Sequence, residues 1–205
     1  IEVSNDRYFR TSELLCCLTD TPRTNLNYYY PKISRPYRYV RFTPPPPAYP
    51  TADCRAEIAE LAFFDSVDSE EHLPSKAIYG GGPVDENPAH DIDKACDDDW
   101  LTFYYSSGPR DSIVLDLQRA STIKKVLFVP RNDDNFITPG NVYELFYQSG
   151  VKGWISLGVQ TATTNELVYR NIPEGALLWL RNLTRGKEEQ VFYVENGEQK
   201  FVGYE

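Results

Sequence analysis

Three consecutive acidic residues, Asp97, Asp98 and Asp99, are followed three positions later by Thr102. A calcium ion takes roughly six to eight hard oxygen ligands, and carboxylates, hydroxyls and carbonyls in a tight acidic loop supply such oxygens. The segment therefore predicts a site for calcium or another hard cation. The alternative is an ordinary solvated acidic turn that binds no metal.

A second candidate site is the polar loop that starts at Arg131. Carbohydrate sites combine an aromatic platform with side chains that form hydrogen bonds to hydroxyl groups. Within this loop, the residues of these types are Arg131, Asn132, Asp134, Asn135 and Phe136. Two alternatives stay open. One is that Arg131 only forms a stabilising ion pair with Asp133 or Asp134. The other is that Trp100 only anchors its loop in the core.

The histidine content and the motifs argue against catalysis. The chain has two histidines, His72 and His90, and it lacks the sequence signatures of a serine-nucleophile elbow, a phosphate-binding loop and a zinc protease. A solvated cluster of like-charged carboxylates is a poor general acid, because catalysis requires a raised pKa. We therefore expect a protein that is not an enzyme.

The four cysteines, Cys16, Cys17, Cys54 and Cys96, show no metal-binding spacing. Adjacent residues of a strand point to opposite faces, so Cys16 and Cys17 cannot easily share a zinc ion. We expect the four cysteines to behave as small, buried apolar side chains. A disulfide such as Cys17 to Cys54 stays open, because sequence does not fix connectivity.

The composition narrows the range of partners. The 205-residue chain has a formal net charge of −9 and a pI near 4.8. An acidic chain without a basic stripe binds nucleic acid poorly and is repelled by anionic lipid surfaces. Its apolar runs are too short to span a membrane, and residues 1–5 predict a strand and a turn rather than a signal peptide. We expect neither nucleic acid binding nor membrane insertion.

Strand-like runs separated by Gly, Pro, Asn and Asp clusters predict an all-β sandwich. Twelve runs carry this pattern: 1–4, 13–18, 26–30, 37–42, 57–64, 112–117, 122–129, 142–148, 153–158, 166–170, 176–183 and 189–194. Asn196-Gly197 adds the signal of a two-residue hairpin turn.

An internal repeat predicts the domain organisation. Tyr39-Val40-Arg41-Phe42 corresponds to Trp179-Leu180-Arg181-Asn182, and an acidic strand follows each copy. Residues 1–65 match only residues 143–194, so we predict the C-terminal half of a first sandwich over 1–66, a linker over 67–74 and a complete sandwich over 75–205. Half a sandwich leaves one face of its sheet uncovered, so either the full protein supplies the missing strands upstream or the half-sheet packs onto the second domain. Its free edge also invites pairing with another copy.

Five segments resemble motifs of the discoidin-like domains, also called coagulation-factor C-type or galactose-binding-like domains. They are 95–104 (ACDDDWLTFY), 129–134 (VPRNDD), 142–147 (VYELFY), and the closing pair 37–41 with 56–61 (YRYVR and AEIAEL). Together they extend over nearly the whole chain. The variant is most similar to modules appended to large bacterial surface proteins and glycoside-degrading enzymes.

This resemblance implies a jelly-roll sandwich with ligand-binding loops at one end and, in many members, a structural calcium ion. The calcium ligands that it implies are Lys94, Asp97, Asp99, Thr102, Glu188 and Glu189. Asp98 stands where many members have glycine. If this position has a positive φ, the aspartate destabilises the backbone conformation relative to glycine. Arg131 falls on a ligand-contacting position, whereas Tyr105 stands where sugar binders often have histidine. The resemblance also brings Trp100 and His90, in neighbouring loops, to the same predicted ligand-binding site.

Two functions from different classes follow. The first is a non-catalytic carbohydrate-binding accessory module of a larger bacterial protein that is secreted, periplasmic or on the cell surface, with a glycan or glycoprotein and other domains of the parent chain as partners. The alternative is a structural spacer or protein-interaction module without a sugar site. An open pocket at Arg131 favours the first, and an Arg131 that is capped by Asp133 or Asp134 favours the second.

Overall fold

A computed structural model describes residues 1–19, 22–23, 26–46, 54–83 and 86–203. In these ranges the chain forms three antiparallel sheets and short 3₁₀ segments at Pro88–His90, Ile92–Ala95 and Gly150–Lys152. The chain divides into two compact units, Ile1–Asp134 and Asn135–Glu205. No helix of the described residues is long and apolar enough to cross a membrane. The prediction of an all-β chain is confirmed.

The first unit is a sandwich of two sheets. Its strands are β1 (Glu2–Ser4), β2 (Glu13–Leu14), β3 (Asn27–Tyr29), β4 (Tyr37–Phe42), β5 (Glu57–Phe64), β6 (Lys76–Tyr79), β7 (Tyr104–Tyr105), β8 (Ile113–Ser121) and β9 (Lys125–Pro130). One sheet has the order β2-β1-β4-β8-β6, and the other has the order β3-β9-β5-β7. The predicted sandwich is confirmed for this unit, while the jelly-roll topology stays a prediction.

Alternating apolar residues explain how these two sheets pack. Ile113, Leu115 and Leu117 of β8 are fully buried, because alternate positions of a strand share one face. Between the sheets, Phe42 stacks on Phe128 with ring centroids 5.5 Å apart. Burial of one such side chain contributes about 1.5–3 kcal/mol. The inward faces of β4, β8 and β9 therefore hold the sandwich together.

Strand β5 is buried on both faces, and this supports the loops that follow. Its Ile58, Leu61 and Phe63 belong to the core between the sheets. On the opposite face, Ala59, Ala62 and Phe64 form a second apolar cluster, against which Trp100 and Phe103 pack. The aromatic residues of the acidic loop are thus fixed on the outside of β5.

The compact units differ from the predicted division of the chain. Strands β4 and β5 precede the predicted linker at 67–74, yet they pair with β8 and β9, which follow it. The boundary of the structure lies at Asp134–Asn135 instead. The physical reason is that β4 and β5 bury their apolar faces by pairing with β8 and β9, which is the covering that an isolated half-sandwich lacks.

The second unit is a six-stranded sheet. Its strands are β10 (Val142–Gln148), β11 (Trp154–Thr161), β12 (Leu178–Asn182), β13 (Lys187–Glu188), β14 (Phe192–Glu195) and β15 (Glu198–Phe201). The order is β11-β10-β12-β14-β15, and β13 pairs with β12. On one face, Trp179 contacts both Phe146 and Trp154, with ring centroids 5.6 and 5.5 Å away.

The predicted hairpin turn is confirmed, and one predicted strand is wrong. Asn196 and Gly197 both have positive φ, 54° and 81°, as a two-residue turn between β14 and β15 requires. Residues 166–170 form no strand. Side chains hold this segment instead of ladder bonds, since Gln160 Nε2 donates to the Val168 carbonyl at 2.9 Å and Tyr169 Oη donates to the Tyr143 carbonyl at 3.4 Å.

The two units contain the same arrangement of three strands. In the order β2-β1-β4, Glu2 lies opposite Arg41, and in the order β11-β10-β12, Glu144 lies opposite Arg181. Arg41 forms a salt bridge with Glu2 at 2.7 Å, while Arg181 contacts Glu188 at 3.5 Å. Both arginines therefore pair with acidic neighbours, and the tandem repeat itself stays a prediction.

Candidate functional site

Three neighbouring strands position a group of side chains at one edge of the first unit. Glu57 at the start of β5 lies opposite Tyr105 of β7, and its carbonyl accepts a hydrogen bond from the Arg131 backbone N–H at 3.1 Å. Arg131 directly follows β9. The 3₁₀ segment that ends at His90 contacts the same edge. We call Glu57, His90, Phe103, Tyr105 and Arg131 the loop site.

Phe103 is at the centre of the loop site. His90 stacks on its ring with centroids 4.4 Å apart, and the Arg131 guanidinium carbon lies 4.5 Å from the ring centroid. Tyr105 lies 6.5 Å from both the His90 and the Phe103 rings. The structure thus brings together His90, Tyr105 and Arg131, as predicted from the sequence, and adds Phe103.

Arg131 is held by two carboxylates. Its Nε donates to Asp133 at 2.8 Å, and its Nη1 donates to Glu57 at 3.2 Å. The bond to Asp133 raises the pKa of Arg131, and the bond to Glu57 adds to this effect. Among the described residues, Nη2 of Arg131 and the Tyr105 hydroxyl have no hydrogen-bond partner. These two groups are available to a ligand.

The remaining predicted ligand-binding residues have other positions. Asn132 is buried, and its amide nitrogen donates to the Trp100 carbonyl at 2.8 Å while its oxygen accepts from the Asp134 N–H at 2.8 Å. Asn132 therefore organises the loop instead of facing a ligand. Trp100 is half-buried against the second apolar cluster. Asn135 and Phe136 belong to the second unit, and their role stays a prediction.

Two of the predicted calcium ligands, Asp97 and Asp99, contact a third, Thr102. Its hydroxyl lies 3.0 Å from both carboxylate oxygens of Asp97 and 3.1 Å from the Asp99 carbonyl. The Lys94 ammonium contacts Asp97 at 3.1 Å. These oxygens have the chemistry that calcium requires, but Lys94 already provides a positive charge at Asp97. In the described ranges, no group of three or more His, Cys, Asp or Glu side chains is arranged to hold a metal ion.

Glu60 is the carboxylate that lies beside this acidic loop. It accepts a hydrogen bond from the Asp98 N–H at 2.9 Å, and Asp98 has a φ of 61°. Burial, with the added effect of the Asp98 and Asp97 charges, raises the pKa of Glu60 to about 8, although the hydrogen bond from the Asp98 N–H opposes this rise. Asp98 also contacts His72 at 2.9 Å.

The predicted ligands from the last strands belong to the second unit. Glu188 contacts Arg181 at 3.5 Å, and Glu189 contacts Lys187 at 3.2 Å. Sequence reasoning missed Glu60, although the repeat aligns its strand with that of Glu189. It also missed Phe103, which strand alternation could have placed on the same face as Tyr105, opposite the buried Tyr104.

The prediction that the four cysteines are buried is wrong, because Cys17 is exposed and the other three are only partly buried. Cys16, Cys17, Cys54 and Cys96 are free thiols, so no disulfide joins Cys17 to Cys54. Burial raises the pKa of Cys96 to about 11, which keeps this thiol protonated and unreactive.

Comparison of the chain with protein-family models, with curated proteins and with solved structures gave no match. The resemblance to discoidin-like domains therefore stays a prediction.

Proposed function

We propose that the chain is a non-catalytic carbohydrate-binding module and that the loop site contacts the sugar. The observation that carries the proposal is that His90, Tyr105 and Arg131 all lie within 6.5 Å of the Phe103 ring centroid. Aromatic side chains beside a guanidinium group are typical of sites that bind sugar rings and their hydroxyls.

The two carboxylates at Arg131 fit this role. They fix the guanidinium plane, so a ligand hydroxyl meets a donor whose conformational entropy is already lost. Nη2 of Arg131 and the hydroxyl of Tyr105 supply hydrogen-bonding groups without breaking an existing bond among the described residues.

We place the module in a larger secreted or surface bacterial protein, as the resemblance implies.

A glycan array with the wild-type chain tests this proposal. We expect binding to one glycan class. Arg131→Ala should weaken it about tenfold because a charge-assisted hydrogen bond is lost, and Tyr105→Ala should weaken it by about the same factor because a stacking contact is lost. Arg170→Gln is the matched control, because Arg170 is exposed in the second unit and its loss changes the net charge equally. Unchanged binding by both loop-site variants would contradict the proposal.

Arg131 is capped by Asp133 at 2.8 Å, and this arrangement favours a second candidate, a structural spacer without a sugar site. If Glu57 and Asp133 hold Arg131 only for stability, no glycan binds at the loop site. Arg131→Ala then lowers the melting temperature without any change in ligand binding. A wild-type chain that binds no glycan on the array favours this spacer.

We also propose that calcium stabilises the acidic loop through Asp97, the Asp99 carbonyl and Thr102. Their convergence supports this, and Lys94 would have to leave Asp97. Calcium that binds only the folded state raises its melting temperature. We expect a higher melting temperature in millimolar calcium than in chelator, and Asp97→Asn should abolish the difference. Identical melting curves in calcium and in chelator would rule out the metal.

A further inference from the structure

A groove of about 620 Å³ lies on the face of the five-stranded sheet that is turned away from the core. Arg41 and Val114, which lie opposite each other on β4 and β8, form its floor. Residues 7–9 after β1, Tyr79 at the end of β6 and Arg110 before β8 line it. All of these residues belong to the first unit, and none belongs to the loop site.

Three guanidinium groups line this groove in a chain with a net charge of −9. Arg41 pairs with Glu2 at 2.7 Å and lies over the Phe9 ring at 4.5 Å. Among the described residues, the side chains of Arg7 and Arg110 form no hydrogen bond and no salt bridge. Two positive charges of the groove are therefore without a bonded counter-ion from the described chain.

The acidic residues near the groove are already bonded. Asp111 lines it, but its carboxylate accepts hydrogen bonds from the Gly108 N–H at 2.7 Å and from Ser107 at 3.3 Å. Asp116 accepts two hydrogen bonds from Arg38, at 2.8 and 2.9 Å. These bonds lower the pKa of Asp116, and the charge of Arg7 lowers it by a smaller amount. Neither carboxylate forms a salt bridge with Arg7 or Arg110.

Two tyrosine rings accompany these charges. Tyr8 is 72% exposed and Tyr79 is 67% exposed, which is unusual for rings of this size. An exposed tyrosine offers an apolar face and a polar tip, so it contacts a sugar ring and its hydroxyls together. The groove volume also falls within the range of about 300–1,000 Å³ that small-molecule sites occupy.

We propose that this groove binds an anionic saccharide. Arg7 and Arg110 bind its carboxylate or sulfate group, because the guanidinium fork matches both groups in bidentate geometry. The sugar rings lie against Tyr8 and Tyr79. A long polyanion such as a nucleic acid is disfavoured, because the net charge of the whole chain repels it beyond the groove.

Isothermal titration calorimetry with the full chain tests the proposal. The probes are a heparin tetrasaccharide for sulfate, trigalacturonic acid for carboxylate, cellotetraose as the neutral sugar and a tetra-aspartate peptide as the non-sugar anion. We expect one charged saccharide to bind, and the comparison of the first two probes identifies the anionic group. Raising NaCl from 50 to 300 mM should weaken binding, because screening acts on exposed charges.

Variants connect the binding to the groove. Arg7→Gln should weaken binding about tenfold, and so should Arg110→Asn. Asparagine is chosen because Arg110 has a φ of 61°, which asparagine tolerates. Tyr79→Ala should weaken saccharide binding as well. Arg170→Gln is the control of equal charge. Arg7, Tyr79 and Arg110 all lie outside the loop site, so a loss of binding in their variants separates this groove from the loop site.

Two outcomes would overturn the proposal. In the first, neither charged saccharide binds the wild-type chain at millimolar concentration. In the second, the tetra-aspartate peptide binds as tightly as the saccharides, and Tyr79→Ala changes nothing. The groove would then be a general anion-attracting surface, whatever the glycan array shows for the loop site.

Discussion

Glu60 is 2% exposed, and its carboxyl group lies beside two other carboxylates, those of Asp97 and Asp98. Its pKa of about 8 in the folded chain exceeds the ordinary value of 4.5. Between these pH values the folded state binds a proton that the unfolded state does not bind. The unfolding free energy should therefore fall as pH rises from about 4.5 to 8, and this contribution should level off above pH 8.

The variant Glu60→Gln tests this pH dependence. It keeps an oxygen for the Asp98 N–H and removes the titration, so its stability relative to wild type should increase with pH. Urea unfolding at several pH values, in chelator, measures the difference. Glu198→Gln, at an exposed position of β15, is the control and should follow the wild-type profile. A constant gap between Glu60→Gln and wild type would contradict the raised pKa.

Asp98 combines a left-handed backbone conformation with two contacts. Its φ of 61° disfavours a side chain with a β-carbon, and its N–H donates to Glu60. Asp98→Gly and Asp98→Ala both remove the contact with His72, but only glycine relieves the backbone. We expect the glycine variant to be more stable than the alanine variant by about 1 kcal/mol in urea unfolding. Equal stabilities would show that the loop relaxes on substitution.

The residues of the loop site were predictable where type and position in the chain sufficed. Arg131, Tyr105 and His90 have side chains suited to binding, and the structure places them together. Asn132 has an equally suitable amide, but it is buried and bonded to Trp100. Only tertiary packing distinguishes the two cases, because an amide that faces a ligand and one that closes a loop have the same local sequence.

At the scale of elements, Trp179 connects three strands of the second unit. It contacts Phe146 on β10 and Trp154 on β11. We expect Trp179→Ala to destabilise the chain by about 2 kcal/mol, less than a fully buried tryptophan would, because Trp179 is half-buried. Trp154→Ala is the matched variant, and it should cost less, since Trp154 is 37% exposed. Urea unfolding followed by circular dichroism provides the comparison, and equal losses would contradict it.

Elements with strong local signals were predictable. Strands β4 and β5 begin and end at the predicted residues, and the Asn196-Gly197 turn has the expected backbone. The predicted strand at 166–170 failed although Val168 and Tyr169 favour strands. A strand needs a partner edge, and here side-chain bonds from Gln160 and Tyr169 satisfy the segment instead.

At the scale of the whole molecule, the repeat predicted strands correctly but not their partners. Arg41 and Arg181 occupy equivalent positions in two three-strand arrangements. The sequence similarity of these two arrangements does not specify whether β4 or β12 pairs with β8. In the structure β4 does so, with Val40 opposite Leu115. Pairing of strands distant in sequence depends on the packing of the complete core, which local pattern does not report.

Two fragments of the chain decide between the divisions at 67–74 and at Asp134–Asn135. Residues 1–134 contain both sheets of the sandwich, so this fragment should fold with a cooperative thermal transition. Residues 75–205 lack β4 and β5, which cover fully buried side chains of β8 and β9, such as Leu115 and Val129. Each such side chain contributes about 1.5–3 kcal/mol, and several losses exceed the typical stability of about 5–15 kcal/mol. Circular dichroism and size-exclusion chromatography should show 75–205 unfolded or aggregated. A cooperative transition for 75–205 with none for 1–134 would instead support the division that the repeat predicts.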